Sequence, residues 1–243
     1  ATTWYRAIVT SGVCTSATSS VAKVTVNPAT VTGTASGDTV VCASGNSVTV
    51  RLSGNVGSIQ WQSSTNNTDF TDINGEAGTS LSVSGLTQTT QYRVRVKNGI
   101  CDEAIGNAVT ITVSPAAVPG TLSGAATVGY GVNSTGLTLT GSYGTVTWLS
   151  SANGTTYTAV SGAGSLATYT ATNLTQSTYY RALLTSGACT DTSNAVLITV
   201  DDRSVGGTLN GSNTVCTNSN STTLELTGQV GNVVKWQYST VSD

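Results

Sequence analysis

A ten-residue segment that recurs along the chain decides the fold. The chain reads YRAIVTSGVC at residues 5–14 and YRALLTSGAC at residues 180–189, and the related segment YRVRVKNGIC occupies residues 92–101. Polar and apolar side chains alternate through the first part of the segment, as in a β-strand with one buried face. A glycine turn and a cysteine close each copy. The three segments therefore predict the same strand and turn at three places in the chain.

Other residues keep the same period. The segments begin 87 and 88 positions apart, and a tryptophan follows the tyrosine of each segment after 56 positions. These tryptophans are Trp61, Trp148 and Trp236. A period of about 88 residues is too long for the common helical and propeller repeats, and it is the size of one complete β-sandwich domain. The sequence thus predicts tandem copies of one sandwich.

The repeat divides the chain at short linkers. We predict the C-terminal part of an immunoglobulin-like repeat at residues 1–27, complete repeats at 28–114 and 115–201, and the N-terminal part of a repeat at 202–243. Short linkers leave neighbouring domains little freedom to fold back, so we expect them to lie end to end. Since the chain opens and closes inside strand patterns, we also expect it to be a segment of a longer protein.

Period-two alternation places the strands of the first complete repeat. The clearest strands fall at residues 48–52, 59–61, 81–83, 92–96 and 109–113. A weaker first strand at residues 31–35 and a short strand near Phe70 and Ile73 bring the number to about seven, as in an immunoglobulin-like sandwich. The predicted fold class is all-β, with tandem immunoglobulin-like β-sandwich domains. The predicted core residues are Trp61, Trp148, Trp236, Tyr92 and Tyr180.

The composition narrows the function. Charged residues make up 8% of the chain, its net charge is -2, and its nine basic residues form no patch. Nucleic-acid binding is therefore not expected. No apolar run approaches the roughly 18 residues of a membrane span, so direct membrane insertion is not expected. The sequence has no histidine, which removes the commonest general base, and we expect neither an enzyme nor a cofactor.

Short motifs of the first complete repeat carry a resemblance to a known family. They are Val-Cys at 41–42, Leu-Ser-Gly at 52–54, Trp-Gln-Ser-Ser at 61–64, Thr-Gln-Tyr-Arg at 90–93 and Gly-Ile-Cys at 99–101. This pattern resembles the immunoglobulin-like repeats of giant Bacteroidetes surface proteins, the SprB-like gliding-motility adhesins. The resemblance implies type IX secretion, cell-surface display and adhesion to surface glycans or abiotic surfaces. The alternative is a spacer or accessory module of a large secreted polysaccharide-degrading enzyme.

Five cysteines predict disulfides in an extracytoplasmic protein: Cys14, Cys42, Cys101, Cys189 and Cys216. Three arrangements are open. One is Cys42–Cys101 within a domain. The second joins neighbouring domains through Cys14–Cys42 and Cys189–Cys216, and the third is Cys42–Cys189. In a standard immunoglobulin topology the loops before strand B and after strand F lie at opposite ends, beyond the roughly 7 Å Cα limit of a disulfide. That geometry favours Cys42–Cys189, with Cys42–Cys101 as an equal rival while the strand assignment is open.

Two further candidates are an O-glycosylation site and an acidic cluster that could bind calcium. Asp38-Thr39-Val40 resembles the Asp-Ser/Thr-aliphatic O-glycosylation sequence of Bacteroidetes, which makes Thr39 a glycosylation candidate. Asp69, Asp72 and Glu76 form the densest acidic cluster. Calcium prefers such carboxylate oxygens, but the second complete repeat has no matching acids, so we predict a solvated loop and no metal site.

Overall fold

The computed structural model describes residues 1–218 and 220–241, and every regular element in that part of the chain is a β-strand. The predicted all-β immunoglobulin-like class is confirmed. The chain forms two compact units. The first contains Ala1–Ala116 together with Ser186–Cys189, and the second contains Ala117–Thr185 together with the described residues from Thr190 onward.

The first unit holds one complete sandwich and two strand pairs. Its strands are β1 (Thr3–Tyr5), β2 (Ile8–Val9), β3 (Ala17–Thr18), β4 (Ala22–Val24), β5 (Thr34–Ser36), β6 (Thr39–Cys42), β7 (Ser47–Ser53), β8 (Ser58–Ser64), β9 (Thr71–Asp72), β10 (Ser80–Ser84), β11 (Thr90–Lys97), β12 (Ala104–Ile105) and β13 (Val109–Ser114). One sheet has the order β10-β7-β5 and the other the order β6-β13-β11-β8-β9, with β12 beside β11. Strands β1 and β4 form one pair, and β2 and β3 form the other.

The second unit repeats the sandwich, although Ser186 and Cys189, at the ends of two of its strands, cluster with the first unit. Its strands are β14 (Thr121–Ser123), β15 (Ala126–Gly129), β16 (Ser134–Thr140), β17 (Thr145–Ser151), β18 (Thr158–Ala159), β19 (Thr168–Thr172), β20 (Thr178–Ser186), β21 (Cys189–Thr192), β22 (Val196–Asp201), β23 (Thr208–Asn210) and β24 (Glu225–Thr227). The sheets have the orders β14-β16-β19 and β15-β22-β20-β17-β18, with β21 beside β20, and β23 pairs with β24.

Each complete sandwich closes around one indole. Trp61 on β8 is 0% exposed, and its Nε1 donates to the Gly78 carbonyl at 2.9 Å. Trp148 on β17 is 1% exposed and donates to the Leu166 carbonyl at 3.0 Å. The inward positions of both sheets supply the rest of each core, Tyr92 and Tyr180 included. A buried indole with its N–H satisfied contributes its full apolar area without leaving an unpaired donor.

The predicted core position of Trp236 is wrong. Its side chain is 58% exposed, and it lies outside the strands. Trp61 lies on β8, which pairs with β11, whereas the described segment around Trp236 forms no strand. Among the described residues, the Trp236 indole is therefore not enclosed by a paired sheet.

The first strand of the sandwich is split, which the sequence pattern did not predict. Val31 forms an isolated bridge with Val56, β5 pairs antiparallel with β7, and β6 crosses to the other sheet. There β6 runs parallel to β13, and the register pairs Cys42 with Ser114. The crossing brings Cys42 to the end of the sandwich at which its last strand finishes.

Gly33 turns the chain into β5 at a place where only glycine fits. Its φ is +72°, and an added Cβ would collide with the Ser53 carbonyl and with the Asn55 backbone nitrogen. Gly54 has a similar φ of +75° but faces open space. We expect Gly33→Ala to lower the free energy of unfolding by roughly 2–4 kcal/mol, because strain at positive φ adds to overpacking.

The control is Gly54→Ala, for which φ alone predicts a loss of about 1 kcal/mol. Urea unfolding followed by circular dichroism measures both variants. Equal losses would show that the close approach of the backbone at Gly33 has no energetic consequence.

Candidate functional site

The structure joins Cys42 to Cys189 in a disulfide, with a Cα–Cα distance of 4.8 Å and a sequence separation of 147. This is the third of the arrangements that the sequence left open. Cys42 ends β6, and Cys189 follows the turn after β20. Within the described part of the chain, Cys14, Cys101 and Cys216 carry free thiols.

Ser114 organises the surroundings of this bond. Its carbonyl accepts from the Ala43 N–H at 3.2 Å and lies 3.5 Å from the Cys189 sulfur, and its hydroxyl accepts from the Ala188 N–H at 3.2 Å. Gly187 packs so closely on Ser114 that an added Cβ would collide with the hydroxyl. We call Cys42, Ser114, Gly187, Ala188 and Cys189 the clasp. All five belong to the first unit.

The clasp is sheltered from solvent. Cys189 is 2% exposed, Ser114 is buried, and Cys42 is half-buried. Because a reductant must reach a sulfur to attack it, burial slows thiol–disulfide exchange. We therefore expect the bond to persist where a disulfide on an exposed loop would be exchanged.

Asn46 fixes the chain next to the clasp. Its Nδ2 donates to the carbonyls of Cys42 and Leu86, at 2.8 Å and 2.7 Å, and its Oδ1 accepts from the Leu86 N–H at 2.8 Å. Asn133 makes the corresponding three bonds to Gly129 and Leu174 in the second complete copy. Each side-chain amide thus makes hydrogen bonds to backbone groups of two loops, as a neighbouring strand would.

We expect Asn46→Ala to lower the free energy of unfolding by about 2–3 kcal/mol, since half-buried backbone groups of Leu86 lose their partners. The matched control is Asn55→Ala, which removes a single bond of 3.3 Å to the Gly57 carbonyl and should cost about 1 kcal/mol or less. Chemical denaturation distinguishes them. If the two variants unfold at the same denaturant concentration, the three hydrogen bonds of Asn46 contribute no more to stability than the single bond of Asn55.

The first copy places Cys101 much as the second places Cys189. The Cys101 thiol lies 3.4 Å from the Pro28 carbonyl, which also accepts from Asn98 Nδ2 at 2.8 Å. Gly99 packs on Asn27 so closely that an added Cβ would collide with its amide. The same turn therefore packs on the preceding linker in both copies, with a free thiol in the first and a disulfide in the second.

The outer face of the larger sheet carries an arginine stacked on an aromatic ring in both complete copies. The Arg93 guanidinium carbon lies 3.8 Å from the Phe70 ring centroid, and that of Arg181 lies 3.9 Å from the Tyr157 centroid. Such stacks stabilise by about 0.5–1 kcal/mol where solvent has access. We call these two pairs the arginine–aromatic stacks.

Around the stacks the two copies differ. In the first, Gln62 accepts from Arg93 Nε at 2.9 Å and donates to Asp72 at 2.8 Å, and Asp72 forms an ion pair of 2.8 Å with Arg95. The second has Leu149, Ala159 and Leu183 at the corresponding positions. A charged network thus surrounds one stack and apolar side chains the other, so only the stacks recur.

The remaining predicted site residues lie on the surface. Thr39 is exposed on edge strand β6, where a hydroxyl is accessible, and its neighbour Asp38 accepts from the Thr110 N–H at 2.8 Å. Asp69 accepts from Asn66 at 2.7 Å. The described residues contain no group of three or more His, Cys, Asp or Glu side chains arranged to hold a metal ion. Nor do they include a helix long and apolar enough to cross a membrane.

Burial also raises the pKa of one tyrosine in the core of the second complete copy. The ring centroids of Tyr180 and Tyr169 lie 5.7 Å apart, and burial, with a smaller effect of Tyr169, raises the pKa of Tyr180 to about 12. The ordinary pKa is about 10, so above that pH the unfolded chain loses a proton that the folded chain keeps. We expect this tyrosine's contribution to stability to be constant below pH 10 and to fall between pH 10 and 12.

The pH dependence is tested with Tyr180→Phe, which has no phenol to ionise. Denaturation midpoints are compared at pH 8 and pH 11. The wild type should lose more stability between the two pH values than the variant. An equal loss would contradict a raised Tyr180 pKa.

The sequence pattern did not predict the hydrogen bonds of Asn46 or the arginine–aromatic stacks. Asn46 and Asn133 lie 87 positions apart, as do Phe70 and Tyr157, while the two arginines lie 88 apart. Recurrence of these polar and aromatic positions at the repeat period was the signal that could have found them.

The two-sheet topology, the buried tryptophan between the sheets and the recurrence of both define tandem immunoglobulin-like β-sandwich domains. Solved structures of this fold are similar to the chain. A marsupial T cell receptor matches at 13% identity with a TM-score of 0.50, over 74% of this chain and 77% of the receptor chain. Titin domains match at 18% identity, TM-score 0.45, over 82% and 75%. Fibronectin(III)-like modules of Clostridium thermocellum CbhA match at 12% identity, TM-score 0.40, over 69% and 94%.

The chain belongs to the family described as Domain of unknown function (DUF8696), whose model matches residues 1–28, 31–115, 118–202 and 205–242. No curated protein matches the sequence. The disulfide therefore joins two consecutive matches, since Cys42 lies in the second and Cys189 in the third.

Proposed function

We propose that the chain is a structural and adhesive repeat segment of a long bacterial cell-surface filament or adhesin. The observation that carries this proposal is the covalent bond between consecutive copies of a sandwich that already closes its own core. A covalent bond between domains that each close their own core carries tension from one to the next, as a repeat segment of a filament requires. Disulfides also persist mainly outside the cytoplasm, which supports an extracellular location.

The finer proposal follows from the family resemblance. The motifs at residues 41–42, 61–64 and 99–101 resemble those of the SprB-like gliding-motility adhesins of Bacteroidetes. We therefore propose display on the cell surface, type IX secretion and a part in gliding motility. The exposed position of Thr39 is compatible with an O-linked glycan in such a protein.

Adhesion in this proposal comes from the outer faces of the sandwiches. The arginine–aromatic stacks present an amphipathic surface of a kind suited to surface glycans or abiotic surfaces. A single stack binds weakly, but many copies in series bind by avidity. We assign the segment no catalytic role, because a chain without histidine offers no Ser-His or Cys-His dyad.

The test compares retention of the intact chain on immobilised glycans and on glass or polystyrene. The variant combines Phe70→Ala with Tyr157→Ala, and the control is Tyr130→Ala, which changes an exposed aromatic side chain outside the stacks. Adhesion through the stacks predicts weaker retention of the double variant and unchanged retention of the control. Absence of retention of the wild type on every surface would reject the adhesive part and leave a spacer, as in the accessory-module alternative.

A further inference from the structure

The Cys42–Cys189 bond changes the path that a pulling force takes through the chain. We infer that it is an extension stop: it carries tension past most of the core strands of both complete copies and limits the length to which the segment stretches. Tension in a cross-linked polymer follows the shortest covalent path between the pulled ends. Here that path enters Cys42, crosses to Cys189 and leaves toward residue 201.

Few strands lie on this path. In the first copy it includes β5 and β6, and in the second it includes β21 and β22. The strands that bury Trp61 and Trp148, from β7 to β11 and from β16 to β20, lie within the closed loop. Pulling the ends can therefore load the edge strands β5 and β6 and also β22, which lies between β15 and β20 and carries the core residues Val196 and Ile198. It does not load β7 to β11 or β16 to β20 while the bond is intact.

The effect on length is large. The 147 positions between the two cysteines correspond to about 500 Å of fully extended chain, at about 3.5 Å per residue. The bond replaces this length by a Cα–Cα distance of 4.8 Å. Of the residues 28–201 that form the two complete copies, only about one sixth can then add to the extended length.

The stop is removable by reduction. A small dithiol transfers two electrons and two protons to the bond, which leaves the thiols of Cys42 and Cys189, and the dithiol closes into its own disulfide. Because Cys189 is almost fully buried by the clasp, the folded protein should be reduced more slowly than an exposed disulfide. A force that frees β6 exposes the sulfurs, so tension should speed reduction.

The test is single-molecule force spectroscopy of the whole chain, held between flanking marker domains of known extension. Without reductant, the fully unfolded wild type should be about 500 Å shorter than in dithiothreitol. The double variant Cys42→Ser, Cys189→Ser should reach the greater length in both conditions. The control Cys101→Ser, which changes a free thiol in the matching turn, should behave as the wild type.

Thiol titration of the same unreduced, denatured sample completes the test, and three free thiols are expected. Equal final lengths with and without dithiothreitol, or five free thiols in the unreduced protein, would overturn the inference. Neither result depends on whether the segment binds a surface, so failure of the adhesion assay and failure of the extension stop are separate outcomes.

Discussion

Replacing Trp61 by alanine should lower the free energy of unfolding of the first unit by about 3–5 kcal/mol. The indole is fully buried and fills the space between the two sheets, and its removal also leaves the Gly78 carbonyl without a donor. Domain stabilities are about 5–15 kcal/mol, so this single change removes a large share. Equilibrium denaturation followed by far-ultraviolet circular dichroism measures the loss.

The chain contains its own control at the same place in the repeat. Trp236 is more than half exposed, and Trp236→Ala should change stability by about 0.5 kcal/mol or less. Trp148→Ala should behave like the Trp61 variant, because that indole is equally buried. Similar small effects at all three positions would contradict the sandwich core.

Removing the disulfide is expected to have the second large effect. Replacement of both Cys42 and Cys189 by serine frees the unfolded chain of a loop of 147 residues. In the chain-entropy model this loop corresponds to about 5 kcal/mol at 25 °C, and measured values for natural disulfides are about 2–5 kcal/mol. The double variant should therefore melt at a clearly lower temperature than the wild type under non-reducing conditions.

The variant Cys101→Ser distinguishes the effect of losing the disulfide from the effect of losing a cysteine side chain. Cys101 is free and lies in the matching turn of the first copy, so its replacement should leave the melting temperature nearly unchanged. Reduction of the wild type by dithiothreitol should reproduce the melting temperature of the double variant. A double variant as stable as the oxidised wild type would show that the bond does not constrain the unfolded chain.

Local patterns in the sequence predict most of the sandwich. Strands β7, β8, β10, β11 and β13 have one buried face, and alternation marks each of them. Strand β6 escapes such a reading because it is an edge strand and Val40 at its centre is exposed. Its pairing with β13 is decided by tertiary contacts, which leave little alternation of polar and apolar residues in the sequence.

The candidate site depends on distances between residues that are remote in sequence. Spacing showed that Cys42 and Cys189 were two kinds of cysteine, but several pairings satisfied the same spacing. The structure decides among them because β6 crosses to β13 and brings Cys42 beside Ser114, on which the turn before Cys189 packs. Trp236 shows the opposite limit, since it recurs at the repeat period and yet is more than half exposed.

The most direct test of the bond between copies is mass spectrometry of an unreduced tryptic digest, prepared with free thiols blocked before denaturation. Cleavage after lysine and arginine places each cysteine in a different peptide: 7–23, 24–51, 98–181, 182–203 and 204–235. The structure predicts peptide 24–51 joined to peptide 182–203, with the other three carrying blocked thiols. Peptide 24–51 joined to 98–181 or to 7–23 would instead show pairing within one copy or with the preceding one, and would contradict the account.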